Sequence, residues 1–281
     1  MQAIDYAKSV TESFALPDTC SRIREMLDDD YSNIDDIAEV IAVDPSLAAS
    51  LIKLANSALY NFPNKVTTIG KAVNVIGGES VYSLVMTETA SSVFKQFDDV
   101  SINLERFWQQ SVFTSLIARE LGKLAKCKHA EQLFLTGLVA NFGELAVARQ
   151  APELAANCED YHAKLVPWQV QKRVMGFTYA DVSYHIMRLW GVPEEIYSPI
   201  RQSFNIQQAL EIKEAAIING AIRGALTLIH PEFYSLPTLI NLEILKSHNI
   251  SEEMMVDAVA FARQEAQSIL FLMNPDLFLV F

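Results

Sequence analysis

Cysteine is scarce in this chain of 281 residues: Cys20, Cys127 and Cys158 lie far apart, are odd in number and form no C-x-x-C pair. A zinc cage needs clustered donors and a disulfide framework needs an even set. Neither is indicated, and buried free thiols in a reducing compartment are expected. Glycine and proline are also sparse, with ten of each. So few turn formers favour long helices over many short strands. No apolar run reaches the roughly 20 residues that span a bilayer. The opening Met1-Gln2-Ala3-Ile4-Asp5-Tyr6 has neither the basic nor the apolar region of a signal peptide. A cytoplasmic protein with no membrane partner is expected.

Basic residues fall short of acidic ones, 22 against 34, so the net charge is −12. That field repels a polyphosphate backbone, and no nucleic-acid partner is expected. The local exception is Arg119, Lys123, Lys126 and Lys128. These fall at the end of a predicted helix, where cations complement the helix dipole and stay solvated. Motifs of several enzyme classes are missing as well. There is no Walker or dinucleotide glycine loop and no G-x-S-x-G, and Gly77-Gly78 is too short to cradle phosphate. The five histidines, His129, His162, His185, His230 and His248, are scattered. Asp181 and His185 share a helix face at i and i+4, which makes an incomplete metal site and reads as a surface contact. Cys127, His129 and Glu131 sit two apart, point in different directions on a helix and carry no functional weight.

What is present is apolar, 51% of the chain, and repeats at helical spacing. Asn33 can cap a short helix carrying Ile34, Ile37, Ala38 and Ile41. Asp44-Pro45 is a helix start, since Asp caps well and Pro fits the first turn, where an N–H would go unpaired. Leu47, Leu51, Leu54 and Ala55 follow it, and Asn61-Phe62-Pro63-Asn64 stops that helix. Thr68 opens another, ended by Gly77-Gly78, and a longer one runs from about Glu79 to Phe94. The polar stretch Gln96–Asn103 reads as a boundary between two lobes, and Leu104 to about Leu124 as one long helix. Further helices are expected near 129–140, 143–151, 153–163, 167–175, 179–190, 193–203, 208–228, 238–246 and 251–273, the last opened by Ser251 ahead of Glu252 and Glu253. The count makes the chain all-α, arranged as an N-terminal helical lobe (1–100), a second lobe (101–205) and a C-terminal helical extension packed on it (206–281). Phe107, Trp108 and Trp190 are expected in the core. Asn56, polar among apolar neighbours, is expected to be buried and to tie the Tyr60–Pro63 turn to its helix end.

Two stretches carry a family likeness. The first runs from Asp44-Pro45-Ser46-Leu47 through Leu54-Ala55-Asn56-Ser57-Ala58-Leu59-Tyr60 to Ile76-Gly77-Gly78. The second runs from Phe107-Trp108-Gln109-Gln110-Ser111 through Gly137-Leu138-Val139-Ala140-Asn141-Phe142-Gly143 to Gly176-Phe177-Thr178-Tyr179 and Leu189-Trp190-Gly191-Val192-Pro193. Together they resemble the HDOD domain, a family of bacterial signalling and regulatory modules related to the HD-domain phosphohydrolases, over about residues 14–205. The resemblance places the hydrolase metal ligands on Gln110, Ala140, Asn141, Tyr179 and, past the Trp190–Pro193 turn, Gln202-Ser203. Alanine has no donor atom, and neutral amides hold a transition metal poorly. The resemblance therefore implies a non-catalytic regulatory module without cofactor or metal, binding a signalling protein or a small-molecule signal. The alternative it leaves open is an HD-type phosphohydrolase with a rearranged site. The apolar tail Leu277-Phe278-Leu279-Val280-Phe281 has three outcomes: folding back on the core, closing a homodimer, or docking on a partner.

Overall fold

The polar residues flagged as helix starts do cap helices. In the computed structural model, which describes residues 1–13, 18–29, 31–57, 59–95 and 102–273, Asn33 accepts from the backbone of Asp35 and Asp36, and Asp36 returns a capping-box bond. Asp44 Oδ1 accepts from Leu47 N at 3.1 Å, Thr68 from Lys71 N at 3.3 Å and Ser251 Oγ from Met254 N at 3.1 Å. Each satisfies a donor that the first helical turn leaves unpaired. Gly77 ends its helix with φ of 83°, a conformation that favours glycine.

The chain is all-α. The helices are α1 (Ala3–Ser13), α2 (Asp18–Asp28), α3 (Ile34–Ala42), α4 (Pro45–Ala55), α5 (Ile69–Ile76), α6 (Gly78–Lys95), α7 (Leu104–Leu124), α8 (Ala130–Val139) and α9 (Phe142–Gln150). After these come α10 (Pro152–Asn157), α11 (Pro167–Met175), α12 (Tyr179–Leu189), α13 (Glu194–Gln202), α14 (Ile206–Glu211), α15 (Lys213–Ile229), α16 (Leu236–Leu239), α17 (Leu242–Ser247) and α18 (Glu252–Met273). Among the described residues there is no strand, only an isolated bridge between His162 and Leu165. No described helix is long and apolar enough to cross a membrane.

Helices α2–α6 pack on one another. Helix α7 is the axis of the rest, buried on several sides by α8, α15 and α18. Helices α6 and α8 join the two groups, and α18 reaches α4 and α6. One hydrophobic core runs through both, with Phe107, Trp108 and Trp190 in it.

Several expectations need correction. Helix α1 packs against α12 and α9 rather than within an N-terminal lobe bounded at residue 100. Its Tyr6, Ala7 and Val10 are buried. The helix expected over 153–163 stops at Asn157, where the chain turns into the His162–Leu165 bridge. The one expected over 208–228 breaks at Ile212, which is extended and packs on a small cluster of Ala209, Ala215, Ala216 and Ile244. The one expected over 238–246 splits at Asn241, which caps α17. Cys20 and Cys158 are buried and in no disulfide, whereas Cys127 is half-buried beside Glu214. Most of the expected boundary at Gln96–Asn103, and the tail Leu277–Phe281, lie outside the described residues.

Candidate functional site

The segment Gly137–Gly143 joins α8 to α9 in close quarters. A Cβ on Gly137 would come within 2.8 Å of Ser115 Cα on α7. One on Gly143 would lie 2.7 Å from Val182 Cβ and closer still to the Tyr179 carbonyl oxygen on α12. Glycine at these positions lets three helices converge. Ser183 fastens the second contact, since its Oγ accepts from Gly143 N at 2.8 Å and donates to Tyr179 O at 3.1 Å.

At that convergence lies a small cavity of about 20 Å³, room for about one water molecule. Gln110 and Thr114 of α7, Ala140 and Asn141 of the α8–α9 junction and Tyr179 of α12 line it, closed over by Trp168 and Gln171 of α11, Phe204, and Ile222 and Leu226 of α15. Gln110, Ala140, Asn141 and Tyr179 are thus neighbours in space although 69 residues separate the first from the last. Gln202 and Ser203 are not among the lining. Gln202 faces a surface groove with Lys172 and Glu194, and Ser203 O accepts from Asn219 Nδ2 at 2.7 Å.

The electrostatics of the cavity wall centre on Glu144, one turn beyond Asn141 and fully buried. Its carboxylate accepts from Arg106 NH2 at 2.7 Å and from Asn141 Nδ2. Burial pushes the carboxyl's pKa up, and Arg106 and Asn141 offset that only in part. Arg106 also pairs with Glu159 and donates to Tyr161 Oη at 2.8 Å. Tyr161 Oη in turn meets His230 Nε2 at 3.2 Å. A hydrogen-bonded chain therefore leads from the cavity wall to the surface. Among the described residues the buried Tyr179 hydroxyl has no oxygen or nitrogen partner. Burial, with Glu144 and Cys158 nearby, drives its pKa up, so it stays a neutral phenol.

A second polar cluster ties the two helix groups together. Arg119 is 2% exposed, and its Nε donates to Glu131 Oε2 at 2.7 Å. Ser80 of α6 donates to the same oxygen at 3.2 Å, and Lys123 reaches Oε1 at 3.3 Å. The Arg119 guanidinium lies 5.1 Å from the Tyr60 ring centre. Burial pushes the Tyr60 hydroxyl up to about 12. Burial alone would also raise Glu131, but Arg119 and Lys123 outweigh it and hold its pKa below the ordinary range. Arg119 is thus not the solvated helix-end cation expected, whereas Lys123, Lys126 and Lys128 are exposed.

Other singled-out residues serve local structure. Asn56 is exposed rather than buried, and it bonds past the turn, not to it. Its Nδ2 donates to Val66 O at 2.8 Å, and its Oδ1 accepts from Val66 N at 2.9 Å. Asp181 caps α12 through Thr178 and pairs with Arg201 at 3.2 Å. It forms no ion pair with His185, although both line one surface hollow. Pro193 sits just before α13, and Trp190 just after α12.

The donor atoms facing the cavity are side-chain amides, a threonine hydroxyl and a phenol. Among the described residues, no three His, Cys, Asp or Glu side chains are grouped as a metal site would require. Amide and neutral phenol oxygens do not fit the metals of HD hydrolases, which need imidazole and carboxylate donors. The lining residues Trp168, Gln171 and Phe204 were not anticipated. Trp168 rests on Arg223 at 4.8 Å, whose NH1 donates to Leu239 O at 2.8 Å.

Comparison with known proteins agrees with this architecture. A curated relative from Treponema pallidum (strain Nichols), an uncharacterized protein, is 26% identical over 232 residues, which is 79% of this chain. The chain spans 44% of that relative's length. Among solved structures, an HDOD domain protein of unknown function from Geobacter sulfurreducens superposes with a TM-score of 0.72 at 20% identity, covering 99% of this chain and 98% of that one. A candidate phosphohydrolase from Shewanella amazonensis SB2B gives 0.70 at 22%, covering 97% of each chain. A candidate signal transduction protein from Marinobacter aquaeolei VT8 gives 0.73 at 20%, covering 97% of this chain and 66% of that one. The model of the HDOD domain matches residues 14–206, from the segment before α2 to the start of α14. This chain belongs to the HDOD domain family.

Proposed function

We propose that the chain is a non-catalytic signalling module that acts by binding a protein partner or a small signal. The observation that carries the reading is the use made of the carboxylate bonded to the cavity wall. Glu144 is committed to Arg106 and Asn141, and Gln110, Ala140 and Tyr179 supply no charged donor. Metal-activated water needs several anionic or imidazole ligands and an open coordination position. A cavity of about 20 Å³ also leaves no room for a phosphorylated substrate beside such a centre. The signalling part of the reading comes from HDOD membership, and a cytoplasmic location goes with it.

The test is elemental analysis of the full chain purified without chelator, alongside assays on phosphomonoesters and cyclic dinucleotides. Metal far below one ion per chain and no turnover is the expected result. Stoichiometric iron, manganese or zinc together with turnover would establish the alternative, an HD-type phosphohydrolase with a rearranged site.

A further inference from the structure

Helix α3 buries Ile37, Val40 and Ile41 against α2, α4 and α5. Its other side is largely open to water, with Asp35 at its edge, where a Cβ on Gly70 of α5 would lie 3.7 Å from Asp35 Oδ1. Asp35, Glu39, Ala42 and Val43 are exposed there, and residues spaced three or four apart share one side of a helix. Val43, at the C-terminal end, is 82% exposed, and Tyr31, at the N-terminal end, is 94% exposed. Two large apolar side chains thus stand in water at either end of a helix about 13 Å long. The stretch of chain that carries this face is of one sign. Residues 28–44 include Asp28, Asp29, Asp35, Asp36, Glu39 and Asp44 and contain no Lys or Arg. Arg24 neutralises Asp28, and Asp36 is used in the cap. Asp29, Asp35 and Glu39 form no ion pair among the described residues.

We infer that this face docks a cationic, amphipathic segment of a protein partner, with Lys or Arg side chains against Asp35 and Glu39 and apolar groups on Tyr31 and Val43. Charge selects that occupant. A second copy in symmetric pairing would set acids against acids, because the same patch faces itself, and the whole chain carries −12. Anionic lipid and nucleic acid are repelled for the same reason. Opposite charge speeds encounter and fixes register, while the apolar ends supply burial. This rests on the reading of the chain as a partner-binding module.

The probe is a synthetic helical peptide of Lys and Leu with the leucines on one face. A scrambled peptide of equal charge serves as its control, and both are titrated against the full chain at low and at physiological salt. The helical peptide should protect 31–44 from hydrogen exchange and bind at least tenfold more tightly than the scrambled one, with affinity falling as salt rises. Asp35→Asn with Glu39→Gln should weaken it tenfold or more, and so should Tyr31→Ser with Val43→Ser. Glu253→Gln with Asp257→Asn, on exposed parts of α18, should leave it unchanged. All six positions are exposed, so the folds should survive. Protection elsewhere, equal binding of the scrambled peptide, or equal loss from the α18 pair would overturn the inference. None of those results touches the metal and turnover test, so the two readings fail separately.

Discussion

Replacing Gly143 by alanine should destabilise this protein by about 3 kcal/mol. The new methyl would sit 2.7 Å from Val182 Cβ and 2.9 Å from the Tyr179 carbonyl carbon, with the carbonyl oxygen nearer still. Carbon atoms in contact settle at about 3.5–4.0 Å, so α9 and α12 must part by roughly 1 Å. These atoms are largely backbone and cannot rotate away. Overpacking of this kind costs about 1–3 kcal/mol. The same movement stretches the 2.8 Å bond from Gly143 N to Ser183 Oγ beyond hydrogen-bond range. That leaves a buried N–H unpaired, at about 1–3 kcal/mol. Opposing both, alanine suits a helix better than glycine by about 1 kcal/mol. The clash wins. Urea unfolding followed by far-UV circular dichroism should show a lower midpoint at unchanged slope. Ser183→Ala, which removes the acceptor without adding bulk, should cost less. A Gly143→Ala protein within about 0.5 kcal/mol of wild type, the range of ordinary surface changes, would refute the claim that this glycine is required for helix approach.

Arg106→Ala should cost about 3–5 kcal/mol because it strands a buried carboxylate. The double change Arg106→Met with Glu144→Leu should cost clearly less than the single one, and a double-mutant cycle on chemical unfolding measures the difference. Asn56→Ala should cost about 1–3 kcal/mol by orphaning the backbone of buried Val66, read from the same unfolding curves. Glu131→Gln should flatten the acid limb of stability against pH. The depressed folded pKa makes the Glu131 carboxylate stabilising above the ordinary value of about 4.3, and that contribution disappears as pH falls through the folded value. Asn141→Asp should destabilise the chain at neutral pH and recover on acidification, followed by thermal unfolding at a series of pH values.

How far the sequence exposes this structure depends on how local each feature is. Asn33, Asp44, Thr68 and Ser251 announce their helices because a cap acts within three residues of itself. Helix α1 is another matter. Its apolar face fits α12 and α9, far along the chain, and nothing in Ala3–Ser13 records that. Ile212 breaks a run whose apolar spacing continues unbroken, because tertiary packing against Ile244 outweighs local preference. At the cavity, Gln110, Ala140, Asn141 and Tyr179 were legible only through family likeness. Glu144 carried a signal of its own, an acid inside the apolar run Leu138–Val147. A buried carboxylate needs a partner, and Arg106, 38 residues earlier, could be named only from the fold. Trp168 and Gln171 share one side of α11 and Phe204 follows α13, but what they face is set by the fold, so pattern reading could not gather them.

The residues at the positions where the resemblance puts hydrolase metal ligands have structural work of their own, and Asn141 makes the point. An aspartate at 141 would turn a hydrogen-bond donor toward Glu144 into a second carboxylate at contact distance. Two such groups cannot both ionise cheaply without a cation between them. Burial already pushes Glu144 up, so the pair would hold a shared proton to higher pH than an ordinary carboxylate does, and folding would weaken as pH rises through that shared value. Arg106 cannot serve both carboxylates, since it also pairs with Glu159 and Tyr161. The amide at 141 and the guanidinium at 106 together neutralise Glu144, the task a bound cation would otherwise perform. Installing metal ligands one at a time would therefore break the hydrogen bonds that stabilise the fold before it could build a metal site.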